Sequence, residues 1–290
     1  NKEDISIVKG QIKNNRSGQI VSFGDLAMAA AKQAIPKKVG LKKHRDFEFI
    51  GRDVARKDCA EKINGTAIFT QDIKLPDMLV AVVAHPPKIG LKLKQFDATR
   101  AEKVKGVKKI YAISTGVVVL ATDFWPAHKA RQLLDISWDE TDIFKKSSQE
   151  ILYQYKQLAK TAGLVARNQG NIQSAFKKNN ANIITANYEF PYLAHAALEP
   201  MNCVIQLAKD SCELWYGAQI PSLDARVVAD ITGLSVDKIK INTVYAGGSF
   251  GRRANPQSDY VAEAANIAKH ADTSAAIKMI WTREDDMHAG

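Results

Sequence analysis

The sequence predicts an α+β protein made of two mixed units joined by a helical linker. A chain of 290 residues is longer than one ordinary core holds, so two or more domains are expected. Residues 47–142 combine several strand-type runs with two helical stretches, and residues 239–281 follow a β–loop–α–β order. Apolar residues make up 46% and charged residues 25%, a balance typical of globular proteins.

Residues 1–46 are predicted to be an N-terminal segment that packs on a later domain. Residues 5–12 alternate weakly, a turn at 14–18 leads into a strand at 19–23, and Asp25 is expected to cap a helix that ends before Pro36. This is too little chain to form a core of its own.

Residues 47–142 are predicted to form the first domain. Helices are expected at 97–104, with Asp97 as the cap, and at 125–134, with Pro126 in the first turn. The expected strands cover 65–70, 78–84, 107–113, 116–122 and 136–138.

Residues 143–163 are predicted to be a linker helix, and residues 164–290 a second unit. Pro221 near the start and Gly233 past the end delimit a helix at 221–232. The other expected elements are helices at 171–178 and 257–270 and strands at 182–190, 203–207, 212–215, 239–245 and 276–281.

Charge and cysteine content narrow the function classes. Residues 1–109 carry 23 Lys and Arg against 12 Asp and Glu, a net +11, and the remainder carries −1, but the basic residues form no stripe with interleaved aromatics. We therefore expect no nucleic-acid partner, and no run approaches the roughly 20 apolar residues of a membrane span. Cys59, Cys203 and Cys212 are too few and too far apart for a disulfide framework or a zinc site, and no C-x-x-C motif indicates an iron–sulfur cluster in this chain.

A glycine-rich loop follows the predicted strand at 239–245. It reads Ala246-Gly247-Gly248-Ser249-Phe250-Gly251-Arg252-Arg253. Its glycines let backbone N–H groups approach a ligand, the next helix offers its positive end, and two arginines provide forks for an oxyanion. It is neither a P-loop nor a dinucleotide fingerprint, because the required lysine and glycine spacing are absent. Spacing alone leaves open an anion site and a tight β–α turn with two exposed arginines, and the large Phe250 favours a site.

Three further segments have polar residues at the ends of predicted elements. Gln219 lies at a strand end before a helix, as a ligand-facing amide or a surface glutamine. His195 and Glu199 are four residues apart, and we favour Glu199 as a buried acceptor for backbone donors over an acid–base pair. Residues 281–287 form an acidic turn without the spacing of a calcium loop, so cap and salt-bridge roles are expected.

Taken together, residues 188–203, 218–221, the glycine loop and 281–287 resemble the xanthine dehydrogenase/aldehyde oxidase family of molybdenum hydroxylases. In the first domain, six motifs resemble the family's a/b hammerhead domain; they lie at 51–58, 62–67, 75–79, 86–87, 124–127 and 138–140. The resemblance runs from about residue 15 to the end. It implies an a/b hammerhead-like domain followed by the first part of a molybdopterin-binding α/β domain.

The resemblance also implies a chemistry. The cofactor is molybdenum on a pyranopterin, usually extended by a nucleotide, which hydroxylates N-heteroaromatic rings or oxidises aldehydes with oxygen from water. Electrons leave through two [2Fe–2S] clusters on a small iron–sulfur subunit. The chemistry belongs to the cofactor, and the protein positions it.

By position in the motifs, the resemblance assigns roles to individual residues. Gln219 would hydrogen-bond a molybdenum ligand, Arg252 and Arg253 would face the phosphate or the pyranopterin, and Glu199 would support the site. Contacts to the cofactor are also expected from five loop residues: Gly247, Gly248, Ser249, Phe250 and Gly251.

Two departures from the family pattern limit these roles. Ser249 stands where the family has a third glycine, which costs roughly 1 kcal/mol if that position needs φ > 0; alternatively, its hydroxyl contacts the cofactor. The family's base glutamate lies in a motif beyond Gly290, so no catalytic residue is expected here. We therefore expect this piece alone to bind no molybdenum cofactor and to have no turnover.

Two other functions remain open from the sequence. One is a phosphate-binding α/β enzyme, and the other is a non-catalytic binding module that recognises a partner through the basic first unit. Localisation is also open between export to the periplasm by a twin-arginine leader and the cytoplasm.

Overall fold

The computed structural model describes residues 2–178 and 182–288. It divides the chain into two compact units, Asn1–Ala60 and Glu61–Gly290. Helices and strands are mixed throughout the second unit, as the α+β prediction requires.

The first unit contains a three-stranded antiparallel sheet and a short helix. Its elements are β1 (Ile5–Val8), β2 (Gln11–Asn14), β3 (Ile20–Ser22) and α1 (Phe23–Ala30), and α2 (Cys59–Asn64) contains the boundary with the second unit. Ser22, not Asp25, is the N-cap of α1: the Asp25 N–H donates to Ser22 Oγ at 3.1 Å and the Ser22 N–H donates to Asp25 Oδ2 at 2.9 Å. The predicted cap was therefore the third residue of a capping box.

The second unit is built on a seven-stranded sheet in the order β11-β10-β9-β12-β4-β7-β6, with β5 and β8 as a separate pair. Neighbours β10 and β11 are parallel, as are β12 and β4, and the other pairs are antiparallel. The strands are β4 (Leu79–Ala84), β5 (Lys92–Asp97), β6 (Val107–Ile113), β7 (Gly116–Ala121), β8 (Asp135–Asp139), β9 (Asn202–Leu207), β10 (Cys212–Tyr216), β11 (Ile239–Thr243) and β12 (Ile277–Ile280). The helices are α3 (Phe124–Arg131), α4 (Ser148–Leu158), α5 (Ile172–Lys178), α6 (Pro221–Thr232), α7 (Asp259–Ala271) and α8 (Arg283–His288).

One sheet thus contains strands from both predicted domains. Strands β4, β6 and β7 come from residues 47–142, and β9 to β12 come from residues 164–290. The predicted domain boundaries remain a prediction.

The sheet has a core on each face, because successive side chains of a strand point to opposite sides. In β4, Ala81 and Val83 belong to the larger cluster with α7, whereas Val82 packs with Ala127 and Ala130 of α3. Small residues on α7 permit close packing against β9 and β12.

Helix α6 agrees with its predicted bounds. Pro221 stands in its first turn, and Gly233 ends it in the left-handed conformation at φ 80°. Both signals are local, so they can be recognised in the sequence without the tertiary structure.

Three predicted elements are wrong. Residues 65–70 are not a strand: only Phe69 makes a bridge, to Tyr245, because the Asp72 carboxylate accepts the Phe69 N–H and starts a 3₁₀ helix. Residues 97–104 form successive turns rather than a helix, since Asp97 is the last residue of β5, which the sequence interpretation missed. The third, the predicted strand at 182–190, contains no strand, and residues 183–190 have no regular structure.

Among residues 2–178 and 182–288, no helix is long and apolar enough to cross a membrane.

Candidate functional site

The glycine loop lies between β11 and α7, with Gly248 and Gly251 at φ values of 111° and 99°. Gly247 is fixed by space rather than by dihedral angle. A Cβ there would lie 2.6 Å from Glu199 Cβ, closer than two carbons approach without movement. The loop backbone therefore packs directly against Glu199.

Glu199 packs against this loop and forms hydrogen bonds with three other residues. Its Oε2 accepts the Gly247 N–H at 2.8 Å and an Arg253 Nη2–H at 3.2 Å, while Oε1 accepts the Asn202 amide at 3.0 Å. Its backbone N–H donates to the Gly247 carbonyl at 3.1 Å. A carboxylate with this set of donors suits the predicted supporting role, which remains a prediction. No hydrogen bond joins His195 to Glu199 within the described residues.

Arg253 contacts the loop from the protein interior. Its side chain is buried; Nε donates to the Gly248 carbonyl at 3.2 Å, and the guanidinium lies 5.9 Å from the centre of the Tyr260 ring. Its Nη1 is buried without a hydrogen-bond partner in the described part of the chain. Sequence reasoning expected exposed arginines if the loop were only a turn, and the structure places this one in the interior.

Arg252 is also buried, and it forms a two-bond ion pair with Asp259 at 3.1 and 2.8 Å. Its guanidinium lies 5.4 Å from the centre of the Trp281 ring. Its Nε has no hydrogen-bond partner within the described residues. Both arginines are thus neutralised by carboxylates, and each keeps one unused donor.

Ser249 does not have a positive φ, so it carries no strain of the kind a glycine would relieve. Its hydroxyl donates to Gln219 Oε1 at 2.5 Å and accepts the Arg253 N–H at 3.0 Å. Gln219, 30 residues earlier, is therefore brought to the loop by Ser249.

Phe250 is the strained residue instead. It has φ 56°, in the left-handed region that a bulky side chain rarely adopts, and 80% of it is exposed. A large apolar ring held at the surface of a glycine loop in such a conformation is typical of a residue that contacts something outside the chain.

Residues 281–287 have the predicted cap and salt-bridge roles, but they form the start of α8 rather than a turn. Asp285 Oδ2 accepts the Thr282 N–H at 2.8 Å and pairs with Arg131 at 2.7 Å, and Asp286 pairs with Arg283 at 2.8 Å. Arg283 in turn donates to the carbonyls of Ala197 and Leu198 at 2.6 and 2.9 Å. Helix α8 therefore fixes the segment that leads to Glu199.

A second buried charge cluster was missed by sequence reasoning. His85 Nε2 lies 2.8 Å from Glu263 Oε1, His85 Nδ1 lies 3.6 Å from Asp285 Oδ1, and the Trp281 indole N–H donates to Glu263 Oε2 at 2.5 Å. These residues line a cavity of about 410 Å³. His85 is 178 residues from Glu263 in sequence, and of the four residues only Trp281 and Asp285 lie in a motif that carries a sequence signal.

The titration of this cluster follows from its charges. Burial opposes protonation of His85, but the carboxylates of Glu263 and Asp285 outweigh it and raise the pKa of His85 to about 9. Burial likewise opposes ionisation of Asp285, yet its contacts with His85, the Thr282 N–H and Arg131 hold its pKa well below the usual range. No group of three or more His, Cys, Asp or Glu among residues 2–178 and 182–288 is placed to hold a metal ion.

Comparison with known proteins gives the family. Residues 156–290 match the model of the molybdopterin cofactor-binding domain. Isoquinoline 1-oxidoreductase subunit beta of Brevundimonas diminuta is 30% identical over 258 residues, which are 86% of this chain and 32% of that protein. Membrane-bound aldehyde dehydrogenase [pyrroloquinoline-quinone] of Gluconacetobacter polyoxogenes is 29% identical over 293 residues, which are 97% of this chain and 37% of that protein.

The fold is shared with a solved structure as well. The crystal structure of quinoline 2-oxidoreductase from Pseudomonas putida 86 superposes with a TM-score of 0.62 at 16% identity, over 81% of this chain and 35% of that one. This chain spans about a third of the length of the two curated relatives above. Residues 156–290 are part of a molybdopterin cofactor-binding domain, and the chain is homologous to subunits of molybdenum hydroxylases.

Proposed function

We propose that the complete protein is the large subunit of a molybdenum hydroxylase that hydroxylates N-heteroaromatic rings or oxidises aldehydes with oxygen from water. The observation that carries this proposal is the convergence of Glu199, Gln219 and the glycine loop. Gln219 meets the loop through Ser249 at 2.5 Å, and Glu199 meets it through Gly247 at 2.8 Å. Segments that are 20 to 50 residues apart in sequence thus form one surface, which is called the floor of the site below.

The residues of the floor fit an anionic pterin cofactor. Buried donors without partners, Arg252 Nε and Arg253 Nη1, lie beside the loop, and an unpaired donor in the interior is costly unless a ligand or water satisfies it. Phe250 presents an exposed ring for a planar group. When bound, the molybdenum cofactor supplies the oxygen-transfer and two-electron chemistry.

Each site residue has a separate proposed task. Gln219 would orient a ligand of the metal: its carbonyl oxygen accepts from Ser249, and no residue that the structure describes accepts from its NH₂ group. Backbone N–H groups of residues 248–251 would bind the cofactor, whereas the Gly247 N–H already donates to Glu199 Oε2 and Gly247 would contact the cofactor by its backbone position only. Arg252 and Arg253 would face it through their unused donors. Glu199 keeps the loop in place, and we assign it no proton transfer.

The partner is proposed to be a small iron–sulfur subunit that carries two [2Fe–2S] clusters. The relative from B. diminuta is itself named as a subunit. Electrons that leave the site need such a carrier, and this chain has only three cysteines, two of them buried.

The proposal is tested on the complete large subunit produced together with its iron–sulfur partner. Elemental analysis should give near-stoichiometric molybdenum, and the Gln219→Ala variant should lose roughly 10- to 100-fold in turnover because a group that orients a metal ligand is removed. Gln206→Ala, on an exposed position of β9, is the matched control and should retain turnover. A folded complex without molybdenum would contradict the proposal.

The substrate class is tested by measuring turnover of the same preparation. Isoquinoline and quinoline represent the ring substrates, and an aromatic aldehyde represents the alternative, which the 29% identity to an aldehyde dehydrogenase supports. We expect residues 1–290 purified alone to contain no molybdenum, since further cofactor-binding segments are proposed to lie outside them, and to show no turnover, since the base glutamate is proposed to lie outside them as well. Stoichiometric molybdenum in that piece would refute this part of the proposal.

A further inference from the structure

Four side chains, here called the His85 cluster, reach from the end of β4 to the glycine loop. They are His85, Glu263, Trp281 and Asp285. The contact with the loop is made by Trp281, because the Arg252 guanidinium lies 5.4 Å from the centre of its indole ring. The same ring packs edge-on against the His85 imidazole, with the ring centres 5.1 Å apart. Trp281 therefore contacts both a titratable histidine and an arginine of the loop.

Glu263 fixes the position of this indole ring. Its Oε2 accepts the Trp281 indole N–H at 2.5 Å, and its Oε1 accepts the Thr115 hydroxyl at 2.5 Å. Only 1% of the Glu263 side chain is exposed, and its cationic partner among the described residues is His85, at 2.8 Å. A buried carboxylate that loses its cation is an uncompensated charge and is strongly destabilising. The position of Trp281 hence depends on the charge of His85.

The surroundings of His85 favour its charged form. Both ring nitrogens face carboxylates, and an imidazole donates from both nitrogens only when it is protonated. Burial opposes protonation, but Glu263 and Asp285 outweigh it and raise the pKa of His85 to about 9. Asp285 also pairs with Arg131 of α3 at 2.7 Å, which leaves Glu263 as the closer partner of His85. The other charged or titratable residues that line the same cavity are Lys88, Asp259 and His288.

We propose that His85 is a positioning residue for the floor of the site: its protonated ring holds Glu263 and Trp281 in place, and Trp281 holds Arg252 of the glycine loop. Because the loop is the proposed contact of the molybdenum cofactor, this inference rests on the proposed function. His85 is assigned no contact with cofactor or substrate. As pH rises through about 9, its ring loses its charge, so the loop should be held less firmly and the cofactor should leave faster.

The coupling between His85 and the loop is measured without molybdenum, on the 290-residue chain. Carbon-detected nuclear magnetic resonance from pH 6 to 10.5 avoids the fast exchange of amide protons at high pH. The carbon signals of His85, of the Trp281 ring and of the carbonyl groups of residues 247–251 should shift with one midpoint at about pH 9. Loop signals that do not move at the midpoint of His85 would overturn the proposal.

Two variants identify the group that titrates. In His85→Gln the shifts of Trp281 and of the loop at this midpoint should disappear, because glutamine carries no charge at any pH. His270→Gln, at an exposed position of α7, is the matched control and should keep them. Loop shifts that persist in His85→Gln would overturn the proposal.

A third variant tests the route of the coupling. Trp281→Phe keeps an aromatic ring but removes the N–H that donates to Glu263. His85 should still titrate in this variant, whereas the loop signals should no longer follow it. A loop response equal to that of the wild type would contradict a route through Trp281 and overturn the proposal.

The consequence for the cofactor is measured on the complete large subunit with its iron–sulfur partner. The complex is incubated at pH 7 and at pH 10, and the molybdenum that it retains after gel filtration is determined by elemental analysis. At pH 7, His85→Gln should lose molybdenum roughly 10-fold faster than the wild type, because a group that positions the site has lost its charge. The wild type should approach the rate of the variant at pH 10, and His270→Gln should behave as the wild type.

A purely structural role of His85 gives a different result. His85→Gln would then have a lower thermal midpoint but would retain molybdenum as the wild type does, and this would overturn the proposal. A wild-type complex that contains no molybdenum would contradict the proposed function instead, and the carbon signals would still decide whether His85 positions the loop.

Discussion

Two buried charge clusters stabilise the second unit, and they differ in the cation. Under the glycine loop, Glu199 is paired with Arg253, whose guanidinium stays charged at every pH at which proteins fold. At the end of β4, Glu263 and Asp285 are paired with His85, which loses its charge within the accessible range. The first cluster is therefore a permanent support for the loop, and the second is a support that depends on pH.

The largest effect is expected from breaking the permanent pair. Arg253→Met keeps the bulk of the side chain but leaves Glu199 without its cation, so the free energy of unfolding should fall by about 3–5 kcal/mol. Urea denaturation of the chain measures this loss. Arg226→Met, at an exposed position of α6, is the control and should change stability by less than about 0.5 kcal/mol. A loss below about 1 kcal/mol for Arg253→Met would show that the pair is not what supports the loop.

The stability that the His85 cluster contributes should decrease as pH rises. The pKa of His85 is raised to about 9 in the folded chain, above the 6.5 of an unperturbed histidine. A raised pKa contributes stability that is fully present below pH 6.5 and is lost as pH passes through 9. That shift corresponds to about 3 kcal/mol.

The measurement is the difference in unfolding free energy between the wild type and His85→Gln from pH 5 to 10. The wild type's advantage should decline across the upper part of this range, because the charge that His85 supplies disappears. Parallel curves for the two proteins would contradict a raised pKa and make the two clusters equivalent.

A smaller effect is expected from steric pressure on the permanent cluster. Gly247→Ala would place a Cβ 2.6 Å from Glu199 Cβ, so it should cost about 1–3 kcal/mol as the loop shifts. Gly163→Ala is the control, since no atom lies within 4 Å of its added Cβ, and it should be neutral or slightly stabilising. If the two variants are equally stable, Glu199 and the loop are not in close contact.

The two clusters also differ in how far sequence predicted them. Glu199, Gln219 and the loop were chosen from motifs, and the structure brings them together through Gly247 and Ser249. In the His85 cluster only Trp281 and Asp285 lie in a motif, because His85 follows a strand and Glu263 stands inside a helix. Their contact depends on α7 packing in one core with β4, which no local pattern reports.

The expectations for Ser249 and for residues 182–190 also depended on tertiary structure. Ser249 was expected to be strained if the third loop position required a positive φ, but that dihedral belongs to Phe250. Residues 182–190 have strand composition but remain irregular. A strand exists only where another backbone accepts and donates its hydrogen bonds, and the described residues offer this one no partner.

By itself, the sequence determined the class of protein, the family and the elements with local signals. Pro221 and Gly233 delimit α6 because a fixed φ suits a helix start and a left-handed residue ends it. Only the tertiary structure decided which strands share the sheet and where the two arginines of the loop point. Arg252 and Arg253 are turned inward, because Asp259 and Glu199 come from other elements and neutralise their charges in the interior.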